Sequence, residues 1–120
     1  LAPVVEALEP AGGIPYLPGW RWVHTPGHTP GHVSYFRADD GVLISGDALV
    51  TLEVNTLAGL ARGRQGLSGP PSYTTADPAS ARASIRTIAD LEPRVLASGH
   101  GETLTSPDTA DRIHHFADAR

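Results

Sequence analysis

The alternation of apolar and polar residues changes rhythm along the chain, and the rhythm predicts its elements. Short β-branched or aromatic runs fall at residues 20–24 (WRWVH), 32–37 (HVSYFR), 42–45 (VLIS) and 94–97 (RVLA), each of strand length. The second and third flank ADDG, whose Asp-Gly pair favours a tight hairpin turn. Residues 42–45 are apolar as far as Ser45, which predicts a strand buried on both faces. Helical periodicity comes later. Ala81, Ile85, Ile88 and Leu91 share one helical face, behind the cap and first-turn pair Asp77-Pro78 and ahead of Pro93. Ser106-Pro107 repeats the start signal, and Ala110, Ile113, Phe116 and Ala117 give a last helix its buried stripe. Residues 3–9 (PVVEALE) read as the end of a further helix. From Thr51 to Thr75 the rhythm is ambiguous. Val54, Leu57 and Leu60 suit a short helix, and RGRQGLSGPPSYTT is a long Gly- and Pro-rich segment of a kind that is often functional. The order is strand, strand, strand, ambiguous segment, helix, strand, helix, which predicts an α/β (α+β) fold.

Composition narrows this picture. The chain has 120 residues, 40% of them hydrophobic and 18% charged, which suits one small domain with a core. No apolar run approaches the ~20 residues of a membrane helix. The net charge is −4, and the nine basic residues are all Arg and scattered, which argues against a nucleic-acid surface. No signal peptide is visible, so a cytoplasmic location is expected. The absence of Cys excludes disulfides and thiolate metal sites, leaving His, Asp and Glu to hold any metal.

The candidate chemistry lies in loops. Residues 24–32, HTPGHTPGH, space three histidines four apart, as on a helix face. Pro26 and Pro30 forbid that helix and Gly27 and Gly31 weaken it, so this is a loop whose turns aim its histidines. Two other predicted strands end alike, in SGD at Asp47 and SGH at His100. Glycine permits sharp turns and close backbone approach. Residues at the carboxyl ends of sheet strands commonly converge on a site. Two imidazoles and a carboxylate suit zinc or a similar divalent ion.

TPGHTPGH, then ISGDAL, then ASGHGE resembles, in order and spacing, the C-terminal half of the metallo-β-lactamase superfamily over residues 20–102. That resemblance implies a four-layer αββα sandwich, of which this chain supplies a mixed sheet with flanking helices, and a centre between two sheets. It implies a hydrolase with two metal ions, zinc first and iron or manganese as substitutes, and a water or hydroxide between them. By the same resemblance His28 matches a histidine of the first metal site. Asp47 matches the catalytic carboxylate that bridges both metals, and His100 the last ligand of the second. His32 is expected to brace the site through hydrogen bonds. His24, His114 and His115 read as ordinary strand and surface residues. Tyr73, Arg62 and Arg64, in the ambiguous segment, are candidates to touch substrate, with ordinary loop residues as the alternative.

The chain departs from the family pattern in one respect. His-x-His-x-Asp-His, the signature of the N-terminal half, is absent, and no two histidines lie two apart. Catalytic zinc sites typically keep three protein ligands. Residues 1–120 are therefore expected to be one partial domain that binds metal weakly and is inactive alone. The missing half, or a second copy, is expected to cover its sheet, and the start at Leu1 points to a fragment. An ester, thioester or lactone is the expected small-molecule substrate. The alternatives are a non-catalytic assembly or binding module and the iron-dependent dioxygenase branch of the same fold.

Overall fold

The computed structural model describes residues 12–52, 65–71 and 75–119. Four strands form one mixed sheet: β1 (Trp20–His24), β2 (Val33–Arg37), β3 (Val42–Gly46) and β6 (Val95–Ser98), in the order β1-β2-β3-β6. A separate antiparallel pair, β4 (Val50–Leu52) and β5 (Gln65–Ser68), occupies part of the ambiguous segment. Two helices follow, α1 (Pro78–Asp90) and α2 (Thr109–Asp118). The expected helices at residues 3–9 and around Val54, Leu57 and Leu60 lie outside the described residues.

Topology brings the three motifs to one edge. Strands β1 and β3 both run antiparallel to β2, and β6 runs parallel to β3. The carboxyl ends of β1, β3 and β6 therefore lie at the same end of the sheet, where β2 begins. ADDG makes the β2–β3 hairpin, with Gly41 at φ +67° and Arg37 gripping Asp40 through two hydrogen bonds. The Gly41 carbonyl accepts from the amides of Arg94 and Val95, which sets the start of β6 against β3.

One face of the sheet carries the core. Phe36, Leu43 and Leu96 point to the helices and pack with Ile85, Ile88, Ala89, Ile113 and Ala117. The helix start at Asp77 is as expected: its carboxylate accepts from the Ser80 amide and hydroxyl, and Pro78 follows. The second helix begins later than Ser106-Pro107 suggested. The Ser106 hydroxyl bonds the Asp108 carboxylate instead of a helix amide, so Asp108 becomes the cap residue and the helix opens at Thr109.

The other face is apolar and open. The register aligns Trp22, Tyr35, Ile44 and Ala97 across all four strands. Tyr35 is 36% and Ile44 42% exposed, whereas Leu43 is 0% exposed. Strand β3 is thus buried on one face here, not on both as its apolar run predicted, because nothing among the described residues covers the second face.

Candidate metal centre

The HTPGHTPGH loop is fastened to α1. Ser84 donates from Oγ to the Pro26 carbonyl at 2.6 Å, Asp77 N–H to the Gly27 carbonyl at 2.9 Å and Ala76 N–H to the His28 carbonyl at 3.3 Å. Three successive carbonyls are thereby satisfied by one helix start. Gly27 is buried at φ +137°, and a β-carbon there would collide with the backbone of Ala81. This close approach delivers His28 to the sheet edge. Ser84→Ala is expected to cost about 1–2 kcal/mol, because the Pro26 carbonyl loses its donor in a half-buried place. Urea unfolding of both proteins checks this, and an unchanged midpoint would refute it.

The three strand-end residues meet. His28 Nε2 lies 3.5 Å from Asp47 Oδ2, and His100 Nε2 lies 3.2 Å from Asp47 Oδ1. Each oxygen of one carboxylate thus faces its own imidazole. The glycines of SGD and SGH permit this. A β-carbon on Gly99 would sit 2.9 Å from Asp47 Oδ1, and one on Gly46 would sit 2.8 Å from His32 Nε2.

His32 fills the space that Gly46 leaves. It is half-buried, and its Nδ1 is 2.8 Å from Thr25 Oγ1 while its Nε2 accepts from the Asp47 amide at 3.2 Å. Burial lowers its pKa below the ordinary histidine value, against the opposing pull of the nearby Asp47 carboxylate. His24 ends β1 and bonds the Pro30 carbonyl through Nε2 at 2.8 Å, closing the same loop. His114 is not simply a surface residue: its Nε2 is buried with no hydrogen-bond partner among the described residues, 3.7 Å from Glu92 Oε1. His115 is exposed as expected. Tyr73, Arg62 and Arg64 lie outside the described residues.

Residues that the sequence did not flag also hold the site. Thr51 N–H donates to the His100 carbonyl at 3.1 Å, and Ser98 Oγ donates to the same carbonyl at 2.6 Å. Leu96 and Leu104 exchange backbone hydrogen bonds and close the base of the SGHG loop. Isolated Ser and Thr residues in strands carry no pattern that would have marked them.

The donor chemistry fits part of a metal shell. Two donors on one zinc at roughly 2.0–2.1 Å in tetrahedral geometry lie about 3.4 Å apart. The two His–Asp47 separations, 3.5 and 3.2 Å, match that spacing. They form two pairs that share a carboxylate. Among the described residues, no three His, Asp or Glu side chains converge where they could hold one ion. His28 Nδ1 is buried and has no hydrogen-bond partner among those residues.

Comparison with known proteins decides the family. The Metallo-beta-lactamase superfamily matches residues 1–100. The chain belongs to this superfamily. The probable metallo-hydrolase YflN of Bacillus subtilis (strain 168) is 48% identical over 113 residues, which are 94% of this chain and 43% of that protein. TTHA1623, solved in a di-iron-bound form, superposes with a TM-score of 0.58 at 27% identity, over 89% of this chain and 46% of that one. The metallo-beta-lactamase family protein TTHA1429 from Thermus thermophilus shares the fold, with a TM-score of 0.55 at 24% identity over 83% of this chain and 29% of its own. This superfamily chain therefore spans less than half the length of these relatives, and within that span the mixed sheet with its two helices follows their fold. No helix among the described residues is long and apolar enough to cross a membrane.

Proposed function

We propose that this chain is the C-terminal part of a metal-dependent hydrolase domain, and that His28, Asp47 and His100 are its share of a two-metal centre for an ester, thioester or lactone. One observation carries the reading: the two oxygens of Asp47 face two imidazoles from separate loops, at ligand-pair spacing. The likeness to the probable metallo-hydrolase YflN supports it.

His28 and His100 would each hold an ion, with Asp47 between them as the shared carboxylate. Bound there, divalent ions supply Lewis acidity and lower the pKa of water toward roughly 7. The chain's own part is to place one negative charge between the two positions and to leave the sheet edge open. His100 is exposed and Asp47 partly so, which admits a substrate carbonyl. The donor set, imidazole and carboxylate without thiolate, suits zinc and also iron, the metal of the TTHA1623 structure.

The remaining ligands would come from an N-terminal half. The open row of Trp22, Tyr35, Ile44 and Ala97 supports a second sheet there, since a sheet buries its apolar face on something. A non-catalytic module is the competing reading, favoured by the absence of a closed three-donor cluster among the described residues. Native mass spectrometry at neutral pH separates them. The 120-residue chain is expected to carry zinc substoichiometrically, and a species that includes the N-terminal half to carry about two ions. A metal-free spectrum of that longer species refutes the hydrolase reading.

A further inference from the structure

The surroundings of His32 define a role for it that is separate from ligation. The Asp47 amide can only donate, so His32 Nε2, 3.2 Å away, must hold a lone pair. The ring proton then sits on Nδ1 and is donated to Thr25 Oγ1 at 2.8 Å. That leaves the Thr25 hydroxyl proton for Ser34 Oγ at 2.9 Å. Thr25 and Ser34 are 1% and 0% exposed, and the Thr25 amide bonds the His32 carbonyl at 3.0 Å. The chain of bonds therefore starts in a fixed, buried base and ends on the peptide of Asp47. Gly46, at φ +53°, leaves the room that the ring occupies. Both nitrogens of His32 are engaged.

We propose that His32 is the positioning residue for Asp47: an Nδ1-protonated imidazole, oriented by Thr25, that fixes the Asp47 peptide and so holds the carboxylate between His28 and His100. The hydrogen-bond assignment stands on the geometry alone, and its effect on metal affinity rests on the two-metal reading above. His32 passes no proton and binds no ion in this role. It sets where the carboxylate stands.

Nitrogen-15 NMR on the full chain tests it. Long-range correlation spectra should show His32 protonated on Nδ1. In His32→Leu the Asp47 amide should exchange about 5- to 10-fold faster, as loss of a ~1 to 1.4 kcal/mol hydrogen bond implies. His32→Gln places an amide oxygen near the position of Nε2 and should restore most of the protection. Thr25→Val keeps the shape and removes the orienting hydroxyl; it should give mixed tautomers and faster Asp47 exchange, and it serves as the test where His32→Leu does not fold. Zinc affinity should fall about 10- to 100-fold in His32→Leu and recover in His32→Gln, with an unchanged circular dichroism spectrum. An Nε2-protonated ring in the wild type, or unchanged Asp47 exchange in either the Leu or the Val variant, overturns the proposal. Exchange that behaves as stated, beside a species with the N-terminal half that takes up no zinc, would uphold the positioning role and remove the two-metal reading instead.

Discussion

On the proposed two-metal reading, Asp47→Ala in the protein with its N-terminal half is expected to abolish metal retention and hydrolysis together. The reason is the sharing of one carboxylate. Removing His28 leaves the Asp47–His100 pair at 3.2 Å, and removing His100 leaves the His28–Asp47 pair at 3.5 Å. Removing Asp47 leaves two lone imidazoles with no anion between them. Lewis-acid stabilisation amounts to several kcal/mol, so its loss implies a fall of about 10³-fold in kcat/KM. Asp47→Asn keeps the side-chain shape and the backbone bond to His32, and should fail nearly as badly, because charge and not volume is lost. His24→Ala is the control, since that ring bonds the Pro30 carbonyl and not Asp47. Metal content by mass spectrometry, read beside ester and lactone turnover, checks this. An Asp47→Ala protein that keeps two metals and the wild-type rate would remove Asp47 from the centre.

Much of this architecture was legible in the sequence, and the parts that were not share a cause. The core strands and both helices follow local signals: β-branched runs, an Asp-Gly turn, an Asp-Pro helix start. The three strand-end glycines followed by His or Asp marked the site because glycine there serves close packing, as Gly46 against His32 and Gly99 against Asp47 show. Strands β4 and β5 were missed because Val50–Leu52 is very short and the segment leading to β5 is rich in Gly and Pro. Burial of β3 was overestimated because an apolar run shows only that both faces can be buried, and nothing among the described residues covers the second face. Thr25, Ser34, Thr51 and Ser98 were invisible for another reason. Their hydroxyls act through tertiary contacts, and no spacing in the sequence announces these.

Gly27→Ala is expected to destabilise the protein by about 3 kcal/mol or more, whereas Gly31→Ala should change stability by less than ~0.5 kcal/mol. In sequence the two positions look alike, each the glycine of a TPGH repeat. The fold makes them opposite. Gly27 is buried at φ +137°, where an L side chain is strained, and its added methyl would overlap the backbone of Ala81 at the start of α1. Neither neighbour can yield easily. Ala81 N–H is committed to the Asp77 carbonyl at 3.0 Å, and the Gly27 carbonyl to the Asp77 amide at 2.9 Å. Gly31 has nothing within 4 Å of an added β-carbon and a φ open to any residue. Thermal and urea unfolding of both variants measure the contrast. Equal midpoints would mean that the loop does not dock on α1. The consequence reaches the chemistry, because the contact that excludes a side chain at position 27 is the one that delivers His28 to Asp47. A Gly27→Ala protein that still folds at low temperature should therefore lose zinc affinity as well, while Gly31→Ala keeps it.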